Sequence, residues 1–422
     1  MNDPYRQAPI SKLHTDVLWR VFAINADMDN DFKSSYQYEL APHSLLALNV
    51  LRNSSQVCQR WRSLILESSS LWGCVIELRC LLQERNEWRE EVIKRAGQSF
   101  LSIKGEVVDH PSNFQEFVFK LLMDLWPRIR KLDIEVKSLD WFLKSSWQVF
   151  QRPAPHLQVF KVYLYTRRAP LPDTSGSKRF FSDHAPLLQE FNLYPNCLPI
   201  IRLRAPWLSH IRKLSLHRPC PLTIDEILDM LPAMPLLEVL DIQTVFTGVE
   251  QQQLSTRPCI TLPRLAQLIC HENDTLSCFY LLYHILPASG CIPYVQTDSA
   301  ADLTVEEVTL IRRVLVRYVQ NYFTVNPVAL CLSVNEEGFD LYQPFTESLF
   351  PHEVPSMFLV IQCRPSSAIP LFLDPLSPFI SPSLTTLNFV PSGSITTGLP
   401  NIIELFESMS LLETLYSSPE GL

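Results

Sequence analysis

The chain has 422 residues, which at about 150 residues per domain implies two or three units or one elongated repeat array. Hydrophobic residues make up 46% and charged residues 19%, enough apolar material for a sizeable core and too little charge for general disorder. Lysine and arginine number 36 against 44 acidic residues, a formal charge of −8. That balance argues against a nucleic-acid-coating protein, whose affinity comes from cationic surplus. Only 10 glycines stand beside 33 prolines, which disfavours glycine-lined phosphate sites and favours short elements punctuated by ring-locked φ angles.

The 11 cysteines are scattered without a CxxC pair, the pattern of reduced, buried thiols and not of a disulfide framework. No basic region followed by an apolar stretch opens the chain, so no secretory signal is read. The greasiest segment, Cys278 to Leu286, is interrupted by His284 and ended by Pro287, too short for a bilayer span. These features point to a soluble cytoplasmic or nuclear protein with no membrane contact.

In chain order, Leu13, Val17, Leu18, Val21 and Phe22 fall at helical spacing, with Thr15 or Asp16 available as a cap. Asn25 to Tyr38 turns polar and reads as loop. Apolar periodicity resumes from Leu45 to Leu51. After Ser54-Ser55, a second stripe follows at Val57, Cys58, Trp61, Leu64 and Ile65. Ser68-Ser69-Ser70 ends it, and Leu71-Trp72 follows at once.

Three segments together resemble an F-box: Ile10-Ser11-Lys12-Leu13 through Val21-Phe22, then Val57-Cys58-Gln59-Arg60-Trp61-Arg62, then Ser70-Leu71-Trp72. The resemblance covers about residues 9 to 78, and the long loop is similar to those of F-box proteins from mushroom-forming fungi. It implies that residues 1–80 form a small helical module, with an internal loop near 25–44, that docks on a Skp-type adaptor. The implied contacts, carried over by motif position, are Leu13, Val17, Leu18, Val21, Phe22, Val57, Cys58, Trp61, Leu64, Leu71 and Trp72. A module of about 60 residues buries too little surface to be comfortably stable alone. Its large apolar residues want a cover, from a partner or from the rest of the chain.

Beyond it, Leu81 to Ala96 reads as helix with Gly97 as terminator, and Phe100 to Ile103 as a short strand. A pattern then recurs: proline or serine, with apolar residues at +2, +5 and +7. It starts at Pro127, Pro155, Pro186, Ser209, Pro235 and Pro263, and returns at Pro382 and, more weakly, at Ser410. Intervals in the twenties with an LxxLxL-like core are similar to leucine-rich repeats. Each copy supplies a strand, and the intervening residues return along another face, with helices at Asp225–Leu231 and Val305–Tyr318. The expected fold is therefore α/β: a helical front module, then an irregular leucine-rich-repeat-like solenoid with a parallel sheet over 81–422. The period is lost between about 270 and 380, where insertions or a distinct cap both fit.

No GxxxxGK[ST], GxGxxG or GxSxG motif occurs. His271-Glu272 lacks the second histidine of a zinc-protease helix, because Thr275 holds that place. Cys270, His271 and Cys278 read as repeat residues more readily than as zinc ligands. The chain thus reads as non-catalytic, with no cofactor or metal. From Arg128 to Arg218 there are 16 basic against 6 acidic residues, and from Val295 onward 4 against 14. A basic face at Arg202, Arg204, Arg212 and Lys213 would suit an acidic or phosphorylated substrate segment; arginines on solvated helices are the alternative. An F-box joined to such repeats implies the substrate-recognition subunit of a cullin–RING ubiquitin ligase, its protein substrate unknown. A non-degradative F-box scaffold and a purely structural repeat protein remain as alternatives.

Overall fold

The proline-led pattern builds strands. A computed structural model describes residues 9–28, 42–108, 112–137, 147–164, 179–194, 205–217, 222–243, 257–272, 274–297, 303–323, 325, 330–335, 338–342, 357–362, 368–380, 384–389 and 410–417. The chain divides into two compact units, Met1–Leu188 and Gln189–Leu422. The boundary expected near residue 80 lies inside the first unit. The architecture is mixed α/β, with a large and mostly parallel sheet.

The first unit begins with four helices: α1 (Thr15–Asn25), α2 (Ala47–Ser54), α3 (Gln59–Glu67) and α4 (Ser69–Gly73). His14 caps α1, its Nδ1 accepting from the Asp16 amide at 3.3 Å, in place of the Thr15 or Asp16 cap expected. Strands β1 (Ile76–Glu77), β2 (Leu101–Val107), β3 (Ile129–Val136) and β4 (Val159–Leu164) follow, with β1–β2, β2–β3 and β3–β4 paired parallel. Helices α5 (Glu87–Ala96) and α6 (Ser112–Leu125) lie between them in the chain.

The helix expected from Leu81 starts six residues late. Leu78–Leu81 is instead a short 3-10 turn. Arg89, fully buried, donates to the carbonyls of Leu81 (2.7 Å) and Gln83 and to Asn86 Oδ1 (2.7 Å). Those carbonyls accept from a guanidinium and not from helical amides, so the segment stays irregular. At its other end α5 stops as expected: Gly97 adopts φ +52°, and its amide reaches the Lys94 carbonyl at 3.1 Å. Gly73 at the end of α4 is required for a different reason, since a side chain there would run into the Phe100 carbonyl.

The second unit contains β5 (Glu190–Tyr194), β6 (Lys213–Leu216), β7 (Val239–Gln243), β9 (Gln267–Glu272) and β11 (Ile292–Thr297), neighbours in that order and parallel. A two-stranded pair, β8 (Ile260–Thr261) and β10 (Ile285–Leu286), stands apart from them. The apolar +5 and +7 positions fall in register: Phe191, Leu214, Leu240 and Leu268 form one buried row, and Leu193, Leu216, Ile242 and Cys270 the next. The +3 position repeats a backbone contact too. Its amide donates to the +3 carbonyl of the copy before it, from Gln158 to Arg130, Arg212 to Gln189, Glu238 to Arg212, Ala266 to Glu238 and Glu413 to Thr385, at 2.7–2.9 Å.

Helices α7 (Ile224–Met230), α8 (Thr275–His284) and α9 (Val305–Phe323) connect strands of this unit. Thr223 and Glu226 form a reciprocal capping box at the start of α7. Cys270 and Cys278 are buried, with their sulfurs 2.9 Å apart.

Where the period was lost, the sheet order changes. Strand β12 (Leu330–Asn335) pairs antiparallel with β13 (Gly338–Tyr342), β13 pairs antiparallel with β14 (Phe358–Gln362), and β14 returns beside β11. Parallel pairing then resumes from β12 to β15 (Leu384–Phe389) and β16 (Thr414–Ser417). Two short helices, α10 (Ala368–Leu373) and α11 (Ser377–Ile380), precede β15. One reversed strand therefore interrupts an otherwise parallel series. Among the described residues no helix is long and apolar enough to cross a membrane.

Candidate docking surface

Helix α1 is apolar on two sides. One stripe, Leu18 and Phe22, is buried. The other, Leu13, Val17, Val21 and Ile24, is 37%, 45%, 39% and 64% exposed. Val17, Val21 and Ile24 span about 10 Å of one α1 face at 1.5 Å per residue, and Leu13 stands just before the His14 cap. A helix that packs on one side only carries polar residues on the other. Exposed apolar groups at this regular spacing form an apolar surface patch among the described residues.

Helix α3 supports this face. The Trp61 ring meets Phe22 edge-on, with centroids 5.0 Å apart and planes at 73°. Arg60 Nη2 donates to the Leu13 carbonyl at 2.6 Å, fastening the start of α1 to α3. Val57 is 63% exposed, Cys58 is exposed at the α3 N-cap, and Trp61 and Leu64 are half-buried. Ile10 and Leu45 are further exposed apolar residues of the same unit.

The eleven motif-derived contacts therefore separate. Leu13, Val17, Val21, Val57 and Cys58 are open, and Trp61 and Leu64 are half open. Leu18, Phe22, Leu71 and Trp72 are corrected from partner-facing to internal, because each is 2% exposed or less. The Trp72 indole donates to the Ile65 carbonyl at 2.9 Å, its ring carries the Arg95 guanidinium at 4.5 Å, and Trp88 packs edge-on at 6.3 Å. Leu71-Trp72 thus clamps α3 to α5. Sequence periodicity alone did not separate the two groups, since Val17, Leu18, Val21 and Phe22 form one broad apolar belt around α1.

Arg212 and Lys213 of the expected basic face lie in the second unit, and each is already neutralised. Arg212 pairs with Glu238, and Lys213 Nζ lies 3.1 Å from Glu190 Oε1. Ion pairs between adjacent strands leave little free positive charge for a phosphate. Arg202 and Arg204 lie outside the described residues.

The open face of the same sheet carries other groups that composition did not reveal. His217 Nε2 stands 3.9 Å from Asp241 Oδ2, and Gln243 donates to Asp241 Oδ1 at 3.1 Å. Burial pushes the Asp241 carboxyl up, while His217 beside it pulls it down. Further along, Tyr294, Phe358 and Tyr342 stand in register on three adjacent strands. Among the described residues no group of three or more His, Cys, Asp or Glu side chains is placed to hold a metal ion.

No protein-family model matches this chain. No curated protein matches it either.

Proposed function

We propose that this chain is the substrate-recognition subunit of a Skp–cullin–F-box type ubiquitin ligase. Its front helices dock the Skp-type adaptor, and the strand array, read as leucine-rich-repeat-like, holds a protein substrate. The chain contributes no chemistry of its own and acts by proximity, raising the substrate's effective concentration near the ubiquitin-carrying enzyme. The observation that carries this reading is the outward stripe Val17, Val21 and Ile24, with Leu13 just before it, on a helix whose inward side is already satisfied by Leu18 and Phe22. Supporting it are the Val57–Arg62 motif around α3 and the repeated +3 backbone contact along the strands.

Burying a valine-class side chain is worth about 1.5–3 kcal/mol. Exchanging two such anchors for carboxylates therefore lowers affinity by roughly a hundredfold or more. The test is co-expression of the full chain with a Skp-type adaptor and measurement of the complex. The native chain is expected to co-elute with the adaptor, and Val17→Asp with Val21→Asp to elute alone with an unchanged denaturation midpoint. Equal capture of both proteins, or capture of neither, removes the proposal.

A further inference from the structure

We infer that the open sheet face of the second unit holds a receptor site for an arginine-bearing segment of another protein, built from Tyr294, Phe358, Tyr342 and Asp340. It deepens the reading of the strand array as a capture surface and rests on that reading.

Alternation along the strands puts these groups on one face. Pro293, Val295, Leu359, Ile361, Phe339 and Leu341 are buried on the core side. Tyr294, Phe358, Val360, Asp340 and Tyr342 alternate with them and are only half-buried. Tyr294 pairs with Phe358, and Phe358 with Tyr342, across adjacent strands. The first two rings stack at 4.5 Å and 20°, and the third lies 6.4 Å from Phe358. The three rings thus form a continuous row, with the Tyr294 and Phe358 faces turned to each other and the Tyr342 ring tilted by 48° at the β13 end, on the strand that carries Asp340.

Asp340 completes the site. It lies two residues before Tyr342 on β13, hence on the same face, opposite Val360. It is half-buried and takes part in no ion pair among the described residues. A carboxylate held partly out of water without a cation is costly, and the cost is recovered when a cation arrives. Arginine suits both halves: its planar guanidinium stacks on aromatic faces and presents a fork to a carboxylate. The wider field agrees. Residues 189–422 contain 11 basic and 23 acidic residues, a net of −12. A net negative charge of that size favours a cationic segment over an acidic one.

The probes are fluorescein-labelled Gly/Ser peptides carrying several arginines, the same number of lysines, or the same number of glutamates, titrated against the full chain by anisotropy. The arginine peptide is expected to bind at least about fivefold more tightly than the lysine peptide, and the glutamate peptide not to bind. Asp340→Asn and Tyr342→Leu each weaken arginine-peptide binding about fivefold or more, and Tyr342→Phe retains it. Glu306→Gln, an exposed site in the first turn of α9, changes the formal charge as Asp340→Asn does and leaves affinity within about twofold. Equal losses from Glu306→Gln and Asp340→Asn, equal arginine and lysine affinities, or no arginine binding would overturn the site. Adaptor capture is measured on the same preparations. Asp340→Asn leaves it unchanged, and Val17→Asp with Val21→Asp leaves peptide binding unchanged, so either reading fails without the other.

Discussion

Helix α1 and the strand row of the second unit use the same aliphatic residues for opposite ends. In the row, Leu240 has Leu214 on one side and Leu268 on the other, in register and fully buried. On α1, Val17 and Val21 point outward, one position away from Leu18 and Phe22, which are sealed. Hydrophobicity alone therefore does not assign a role. What decides is whether the fold supplies a neighbour at the next rung. A repeat array does so by construction, because each copy covers the one before it. On α1 the second apolar side stays exposed among the described residues. That difference is why the proposed docking surface is placed on α1 and not on the greasier strands.

The largest effect is expected where the front module is locked. Trp72→Ala removes a fully buried indole, its bond to the Ile65 carbonyl and the surface beneath Arg95. A loss of about 3–5 kcal/mol is expected for the unfolding transition that involves the first unit. Denaturant unfolding followed by tryptophan fluorescence checks it. A loss under about 1 kcal/mol would show that the Leu71-Trp72 clamp is peripheral and that these residues were free to face a partner.

Next comes the direct contrast. Leu240→Ala opens a cavity between two neighbouring rungs and is expected to cost about 2–5 kcal/mol. Val17→Ala, on the open stripe, is expected to change stability by no more than about 0.5 kcal/mol. Both are read from urea midpoints of the full chain. Similar costs at the two positions would mean that α1 is covered in solution, and the comparison above would collapse.

How much of this was legible beforehand follows the same rule. Strands β3 to β7 and β9 were visible because their core positions are leucine, isoleucine, valine, phenylalanine or cysteine at fixed +5 and +7 spacing. Strand β11 was not, because its inward residues are Pro293, Val295 and Thr297, which carry no leucine rhythm. The reversal at β13 was invisible for another reason: period-two alternation looks alike in parallel and antiparallel strands. On α1 the helix was legible but its orientation was not. Leu18 and Phe22 could be told from Val17 and Val21 only once α3 was in place with Trp61 against Phe22. The ring row had no linear signature, since Tyr294, Phe358 and Tyr342 come together only through the changed strand order.

The smallest effect concerns Asp340 and has a definite sign. Burial holds its carboxyl above the ordinary aspartate range, so the native chain binds that proton more readily than the unfolded chain does. Its contribution is therefore fully present below the unfolded value of about 3.9 and is lost as pH rises through the higher native value. Asparagine cannot ionise, so Asp340→Asn escapes that loss. Urea midpoints of native and variant chains are expected to coincide near pH 3 and to separate toward neutrality, the variant being more stable by less than about 1 kcal/mol. A variant less stable at neutral pH would mean that the carboxylate serves the fold. The expected direction sets it apart from Leu240: truncating the leucine row is expected to destabilise the fold, whereas removing this charge is expected to stabilise it slightly, as the inferred arginine site requires.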